Sequence, residues 1–161
     1  MSAIATLLNC SIHKVVYWMD KYAIKRRNMS DAIYIQHNPN GDPFKIKINL
    51  SPQEKFLFGL GLGIYWGEGE KTGRHALRVA NTDPRLIKTF QKFLTAICNV
   101  PRDKIQYSII CFNDSDPNEA VNYWKTQLGI YDYKFGKIVQ IPTQGKGTYK
   151  RKSQFGVGII I

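Results

Sequence analysis

The clearest pattern of apolar positions begins at a helix start in the middle of the chain. Ser51 is a suitable N-cap, Pro52 takes the first helical position, and Glu54 stands where a capping box requires an acidic residue. An almost continuous apolar run follows this start. The pattern therefore predicts a helix over residues 52–66.

Three glycines interrupt this apolar run at a spacing of four residues. Gly59, Gly63 and Gly67 therefore lie in one stripe on the predicted helix. Each glycine costs a helix about 1 kcal/mol relative to alanine, so the stripe needs a compensating role. Close approach of another backbone is one such role, and an irregular or frayed segment is the alternative.

The apolar pattern after this helix predicts alternating strands and helices, whereas the segment before it is rich in turn formers. We interpret residues 37–49 as a linker between a small helical segment, residues 1–36, and a larger domain, residues 50–161. In the larger domain, alternation and helical spacing predict strands near residues 77–81, 104–112, 134–140 and 154–161, and helices near residues 84–98 and 118–128.

The first segment has the spacing of two short helices that cross at a tight turn. Ala5 is small where the helices would touch, Asn9 tolerates a left-handed turn, and Ser11 can cap the second helix. Val15 and Trp18 would then face back onto the first helix. This pattern resembles a helix–turn–helix, with an ordinary helical hairpin as the alternative.

In the helix–turn–helix interpretation, exposed residues of the second helix meet the major groove and the basic residues after it hold the DNA backbone. A supporting helix is also needed, and residues 29–36 could supply it. The candidate contacts are Ile12, His13, Lys14, Tyr17, Lys21, Lys25, Arg26 and Arg27.

The net charge of the chain indicates the class of its partner more clearly than its length does. The 161 residues carry 23 Lys and Arg against 12 Asp and Glu, a net charge of +11, which favours a polyanionic partner such as nucleic acid. A membrane surface is the lesser alternative, because the most apolar run is about half of the roughly 20 residues that a bilayer helix needs. We expect no membrane association and a cytoplasmic protein, associated with the nucleoid if the host is bacterial. The scattered cysteines Cys10, Cys98 and Cys111 suggest buried thiols.

Two carboxylates follow the glycine-rich helix. Glu68 and Glu70 lie just past its predicted end, where the helix dipole already disfavours negative charge. Salt bridges to Lys71 or Arg74 would offset that cost. A divalent metal ion, held by a carboxylate, is the other interpretation.

A basic segment lies near the C-terminal end of the sequence. Residues 134–152 carry six Lys and Arg and no acid, interleaved with aromatic and amide side chains. These side chains suit contacts with phosphates and base edges, and a solvated charged hairpin is the alternative. The candidate contacts are Lys134, Lys137, Gln140, Thr143, Gln144, Lys146, Lys150, Arg151 and Lys152.

The stretch GLGIYWGEG, residues 61–69, resembles the signature of LAGLIDADG homing endonucleases. Gly63 falls on the inner glycine of that signature, and Glu68 with Gly69 falls on its final acid–glycine pair. Trp66 stands where the first aspartate falls, which departs from the pattern. The strand, turn and amphipathic helix of residues 77–94 are also similar to those that follow the signature in that family.

This resemblance implies an α+β fold, with an antiparallel sheet and packed helices, preceded by a helix–turn–helix-like segment. It also implies a homodimer through Gly59, Gly63 and Gly67, because one copy of the signature supplies half of a site. Glu68 would bind Mg²⁺ or another divalent cation, and Lys137, or Lys134, would be the basic residue near that metal. The implied partner is double-stranded DNA with a near-palindromic target.

Two hypotheses about function follow. In the first, the protein is a metal-dependent, sequence-specific DNA endonuclease, with Glu68 and Lys137 as the catalytic residues. In the second, the same scaffold is a DNA-binding transcriptional regulator that does not cleave. An RNA-binding splicing helper would use the same basic surface.

Overall fold

The computed structural model describes residues 1–72, 76–130, 135–143 and 154–161. The chain divides into two compact units, Met1–Pro39 and Asn40–Ile161. The first unit contains the helices α1 (Ser2–Leu7), α2 (Ile12–Lys21) and α3 (Met29–His37). The second contains α4 (Pro52–Glu68), β1 (Val79–Asn81), α5 (Pro84–Ala96), a 3₁₀ helix (Arg102–Lys104), β2 (Tyr107–Phe112), α6 (Pro117–Leu128), β3 (Ile138–Ile141) and β4 (Val157–Ile160).

The turn between α1 and α2 has the geometry that the sequence predicts. Asn9 adopts a left-handed conformation with φ of 46°. The Ser11 hydroxyl oxygen accepts a hydrogen bond from the Lys14 backbone N–H at 3.3 Å, which caps α2. Ala5 and Val15 are buried where the two helices meet. The pair of helices and their turn are therefore confirmed.

The helix α3 forms at the expected place but does not close a core over α1 and α2. None of its residues is buried, and Met29, Ile33 and Ile35 are exposed. Ile35 lies on a different side of the helix from Met29 and Ile33, so the apolar positions do not form one broad face. Trp18, which is predicted to face back onto α1, has 40% of its surface exposed.

The second unit is built on a four-stranded sheet with the strand order β1-β4-β2-β3. The strand β4 pairs antiparallel with both β1 and β2, whereas β2 and β3 are parallel. The fold is thus α+β, but the expectation of an antiparallel sheet is wrong. The reason is the helix α6, which connects β2 to β3 and returns the chain in the same direction.

The strands β3 and β4 are not neighbours, because β2 lies between them. These two strands therefore do not pair with each other as a hairpin, contrary to one interpretation of the sequence. Most of the basic segment that connects them lies outside the described residues.

The core of the second unit lies between the sheet and the helices α5 and α6. Trp124 of α6 is fully buried, and its indole N–H donates a hydrogen bond of 2.8 Å to the Phe155 carbonyl oxygen. Its ring packs directly on Gly158 of β4, where any Cβ would overlap it. Cys98 and Cys111 are buried as expected, and burial raises the pKa of both thiols, whereas Cys10 is only half-buried.

The predicted linker belongs to the second unit in its later part. The backbone N–H groups of Lys45 and Lys47 donate hydrogen bonds of 2.9 and 2.8 Å to the carbonyl oxygens of Cys98 and Ile97. The Asn99 side chain donates to the Lys45 carbonyl oxygen at 2.6 Å. This segment therefore satisfies carbonyl groups that the end of α5 leaves without helical partners.

The helix α4 begins with the predicted capping box. The Ser51 hydroxyl oxygen accepts from the Glu54 backbone N–H at 3.3 Å, and a Glu54 carboxylate oxygen accepts from the Ser51 backbone N–H at 2.9 Å. The other oxygen of Glu54 accepts from the Lys47 ammonium at 2.7 Å. The Lys47 hydrogen bond, followed by that of Ser51, lowers the pKa of Glu54 to about 2.

The helix α4 approaches α5 closely through a glycine outside the predicted stripe. Gly61 is buried, and a Cβ built on it would overlap the ring of Phe93 on α5. A Cβ on Gly63 would meet no atom within 4 Å. Gly61 therefore has a packing role within the chain, and Gly63 has no such role among the described residues.

We predict that Glu54 makes stability depend on pH below 4.5. Its pKa is lowered from 4.5 to about 2 in the folded protein, so its contribution is complete above pH 4.5 and is lost as the pH falls towards 2. Urea unfolding at several pH values should show a smaller decrease in stability over this range for Glu54→Gln than for the wild type. The exposed Glu119 offers a matched control, and an equal effect of Glu119→Gln would contradict the prediction.

We predict opposite effects of alanine at the two glycines. Gly61→Ala should lower the free energy of unfolding by about 1–3 kcal/mol, because the methyl group overpacks the contact with Phe93. Gly63→Ala should leave the stability of the single chain unchanged or raise it by up to about 1 kcal/mol. Urea denaturation at low protein concentration measures both values, and equal losses would show that the two glycines have the same role.

Candidate functional site

One face of α4 is open along the predicted glycine stripe. Gly59, Gly63 and Gly67 are exposed, and a Cβ on any of them would meet no atom within 4 Å. Phe56 and Trp66 flank this stripe and are exposed by 73% and 82%. The face is therefore apolar, open to the approach of another backbone, and uncovered by the described residues.

The acid at the end of α4 has no partner among the described residues. Glu68 is the last residue of the helix, it is exposed, and it forms no hydrogen bond or ion pair with the part of the chain that the structure describes. Its position at the C-terminal end of a helix is unfavourable for a negative charge. Glu68 is thus a carboxylate that can accept a cation from outside the chain.

Glu70 differs from Glu68 in this respect. One of its carboxylate oxygens accepts a hydrogen bond from the Arg78 guanidinium at 3.0 Å, and the other accepts from the Thr72 hydroxyl at 2.9 Å. The salt-bridge interpretation therefore holds for Glu70 through Arg78, a partner that the sequence did not suggest. Arg74, which the sequence did suggest, lies outside the described residues.

The chain after Glu68 is held in place by several hydrogen bonds. The Gly69 backbone N–H donates to the Tyr65 carbonyl oxygen at 2.9 Å, and the Tyr65 hydroxyl donates to the Glu70 carbonyl oxygen at 2.9 Å. The Glu70 N–H donates to the Arg78 carbonyl oxygen at 2.9 Å, next to a bridge between Gly69 and Val79. The backbone that carries Glu68 therefore has a defined position.

A lysine supplies positive charge at the end of α4. The Lys71 ammonium donates a hydrogen bond of 2.6 Å to the carbonyl oxygen of Trp66. This contact neutralises part of the helix dipole and satisfies one carbonyl. It involves the backbone and not Glu68, so the Glu68 carboxylate stays available.

Gly69 is a residue whose role the sequence analysis missed. A Cβ at Gly69 would overlap the Tyr65 ring and carbonyl oxygen, so glycine is required where α4 turns towards β1. The spacing of Gly67 and Gly69 was the available signal in the sequence. Residues two apart point to nearly opposite sides of a helix, so Gly69 does not belong to the stripe of Gly67.

Among the candidate residues, Glu68 is the carboxylate that could hold a divalent cation. The described residues contain no group of three or more His, Cys, Asp or Glu side chains that could hold a metal ion. Glu68 would supply one ligand, and Mg²⁺ usually completes its coordination with waters and phosphate oxygens. Lys137 is exposed just before β3, and Lys134 lies outside the described residues.

The candidate DNA contacts of the first unit lie on exposed surface. His13, Lys14 and Tyr17 are exposed on α2, and Lys25 and Arg27 are exposed after it, where no helix or strand forms. Arg26 is exposed too, but it forms an ion pair of 2.6 Å with Asp20.

Of the polar side chains predicted to read base edges, Gln140 lies on a described strand and not on the sheet face opposite the helices. Gln140 lies opposite Cys111, whose side chain is buried, so its side chain starts on the side of the helices and is exposed only because β3 is an edge strand. The face opposite the helices carries mostly apolar residues, of which Ile159 is buried and Val139 is exposed: Ala80, Ser108, Ile110, Phe112, Val139, Ile141, Val157 and Ile159. The candidates Gln144, Lys146, Lys150, Arg151 and Lys152 lie outside the described residues.

Comparisons of the chain with protein-family models, with curated proteins and with solved structures find no match in any of the three. Within the described residues, no helix is both long enough and apolar enough to cross a bilayer.

We predict that neutralising the two glutamates changes stability in opposite directions. Glu68→Gln should raise the free energy of unfolding by about 0.3–1 kcal/mol, because it removes an unpaired negative charge from a helix C-terminus. Glu70→Gln should lower it by up to about 1 kcal/mol, because it weakens an exposed ion pair with Arg78. Urea denaturation at low ionic strength measures both, and a loss of stability in Glu68→Gln would show that Glu68 has a structural partner.

Proposed function

We propose that the protein is a sequence-specific double-stranded DNA endonuclease that acts as a homodimer and hydrolyses phosphodiester bonds with a divalent metal ion. One observation carries this proposal. Glu68 is the one carboxylate of α4 beyond its first turn, and it is exposed and unpaired with any described residue. It lies at the end of a helix whose glycine face is open.

The open α4 face supports pairing with a second copy. Glycine stripes let two helix backbones approach closely, and the exposed Phe56 and Trp66 would lose water on contact. A two-fold axis along the paired helices would place both C-terminal ends, and thus both Glu68 carboxylates, on the same side. The DNA target of such a dimer would be near-palindromic.

Glu68 supports metal-dependent hydrolysis, because its carboxylate would hold Mg²⁺. Carboxylate is a preferred ligand of Mg²⁺, which usually keeps several waters and binds through one or two carboxylates plus phosphate oxygens. When bound, Mg²⁺ would acidify the attacking water and neutralise the leaving oxygen. Lys137 is the candidate basic group of the site, and the net charge of +11 favours binding of the DNA backbone.

A transcriptional regulator that binds DNA without cutting is the second candidate, and the first unit favours it. The left-handed turn at Asn9, the Ser11 cap and the exposed basic residues of α2 suit duplex binding without any metal. This interpretation gives Glu68 no role.

We predict that the wild type cuts members of a randomised duplex DNA library in the presence of Mg²⁺. Glu68→Gln should lower cutting by about 100-fold or more while the same sequences are still bound, because the metal ligand is lost and the DNA contacts remain. Glu70→Gln is the matched control and should keep cutting, since Glu70 pairs with Arg78 instead. Sequencing of cut and of bound molecules provides the measurement.

Selective binding without cutting by any of the three proteins would favour the regulator. Cutting that persists in Glu68→Gln would contradict the proposed metal ligand. Sedimentation of the DNA complex as a monomer would contradict the proposed homodimer.

A further inference from the structure

The helix α2 carries three exposed aromatic side chains on adjoining faces. Tyr17, Trp18 and Tyr22 are exposed by 58%, 40% and 66%. Trp18 and Tyr22 are four residues apart, so they share one side of the helix end, and their rings stack with centroids 5.7 Å apart and planes 15° apart. Tyr17 meets Trp18 edge-on at 5.3 Å. We call these three residues the aromatic platform.

Packing within the first unit does not explain the aromatic platform. The unit buries Ala5 and Val15 between α1 and α2, and α3 buries none of its own residues. Large aromatic side chains gain most of their stabilising energy from burial. The exposure of all three therefore indicates a surface that contacts a partner.

The charge around the aromatic platform indicates the sign of that partner. The Lys21 ammonium lies 4.8 Å from the Trp18 ring centroid and 5.9 Å from that of Tyr17. The acid beside it, Asp20, is already paired with Arg26 at 2.6 Å. A cationic ligand is thus disfavoured, because a lysine already occupies the ring faces and the neighbouring charges are positive.

Tyr22 leaves one ring face available for stacking. It lies at the C-terminal end of α2, and its single ring contact among the described residues is with Trp18. A further planar ring can therefore continue the Trp18–Tyr22 stack. Lys25 and Arg27 are exposed a few residues along the chain and can meet an anion attached to that ring.

We propose that the aromatic platform binds an unpaired nucleobase of a single-stranded nucleic acid, which stacks on Tyr22 while the flanking cations contact phosphates. In a duplex each base face is covered by its neighbours, and the grooves offer only base edges. A stacking surface therefore fits a base that has left the duplex or never joined one. This inference does not depend on cleavage or on Glu68.

The test uses the full chain, a short oligothymidine and a blunt duplex with the same number of phosphates. We predict that the oligothymidine binds more tightly than the duplex and quenches the fluorescence of Trp18. Tyr22→Leu should weaken binding of the oligothymidine roughly 5- to 150-fold, the range for loss of one stacked base, and leave its salt dependence unchanged. Tyr22→Phe, which keeps the ring, should bind like the wild type.

Further variants locate the effect. Trp18→Phe keeps a ring in the stack and should remove the quenching but not the binding. If Tyr22→Leu does not fold, as judged by circular dichroism, Trp18→Leu replaces it with the same expected loss of affinity.

Several results would overturn the proposal. Equal affinity of Tyr22→Leu and the wild type would show that the ring does not stack on a base, and equal losses in Tyr22→Phe and Tyr22→Leu would show that the ring is not the cause. An unchanged fluorescence of Trp18, together with a change in sedimentation of Tyr22→Leu, would show that a protein surface covers the aromatic platform instead.

Discussion

The close contact of Gly61 with the ring of Phe93 is the constraint on which the second unit depends. A side chain at position 61 would overlap that ring, so the absence of one lets α4 lie directly on α5. The stacked rings of Tyr65 and Phe90 then extend the same contact towards the end of α4. One side of α4 is thus committed to the core, which leaves the side with Gly59, Gly63 and Gly67 open.

The same constraint determines where Glu68 lies. Because α4 is held against α5 and Gly69 is bridged to Val79, the helix must end where the backbone turns towards β1. The last side chain before this turn is the Glu68 carboxylate, at a helix end that disfavours negative charge. The nearby cations bind other groups, since Lys71 donates to the Trp66 carbonyl oxygen and Arg78 donates to Glu70. An acid that lowers stability and has no partner in the described part of the chain is typical of a functional site, since local rules are broken there more often than elsewhere.

Local features were the part of the fold that the sequence could predict. The capping box at Ser51, the left-handed turn at Asn9 and the bounds of α5 and α6 each depend on residues close together in the chain. The parallel pairing of β2 with β3 and the contact of Gly61 with Phe93 depend on residues far apart, and no short pattern encodes them. The stripe of Gly59, Gly63 and Gly67 could be predicted because its residues are close together in the chain. Only the structure distinguishes these open glycines from the packed Gly61 and Gly69.

The distribution of polar groups divides the proposed roles between the two units. The sheet face opposite the helices is mostly apolar, since Ile110, Val139 and Val157 lie on it, so it offers few groups for reading base edges. The rings of α2 do have a cation beside them, since the Lys21 ammonium lies 4.8 Å from the Trp18 ring centroid. Groove contacts by α2 and hydrolysis at Glu68 would need a stacked duplex, whereas stacking on Tyr22 would need a base that has left the duplex. A partly opened duplex would present both states, so the two proposals are compatible with one nucleic-acid partner.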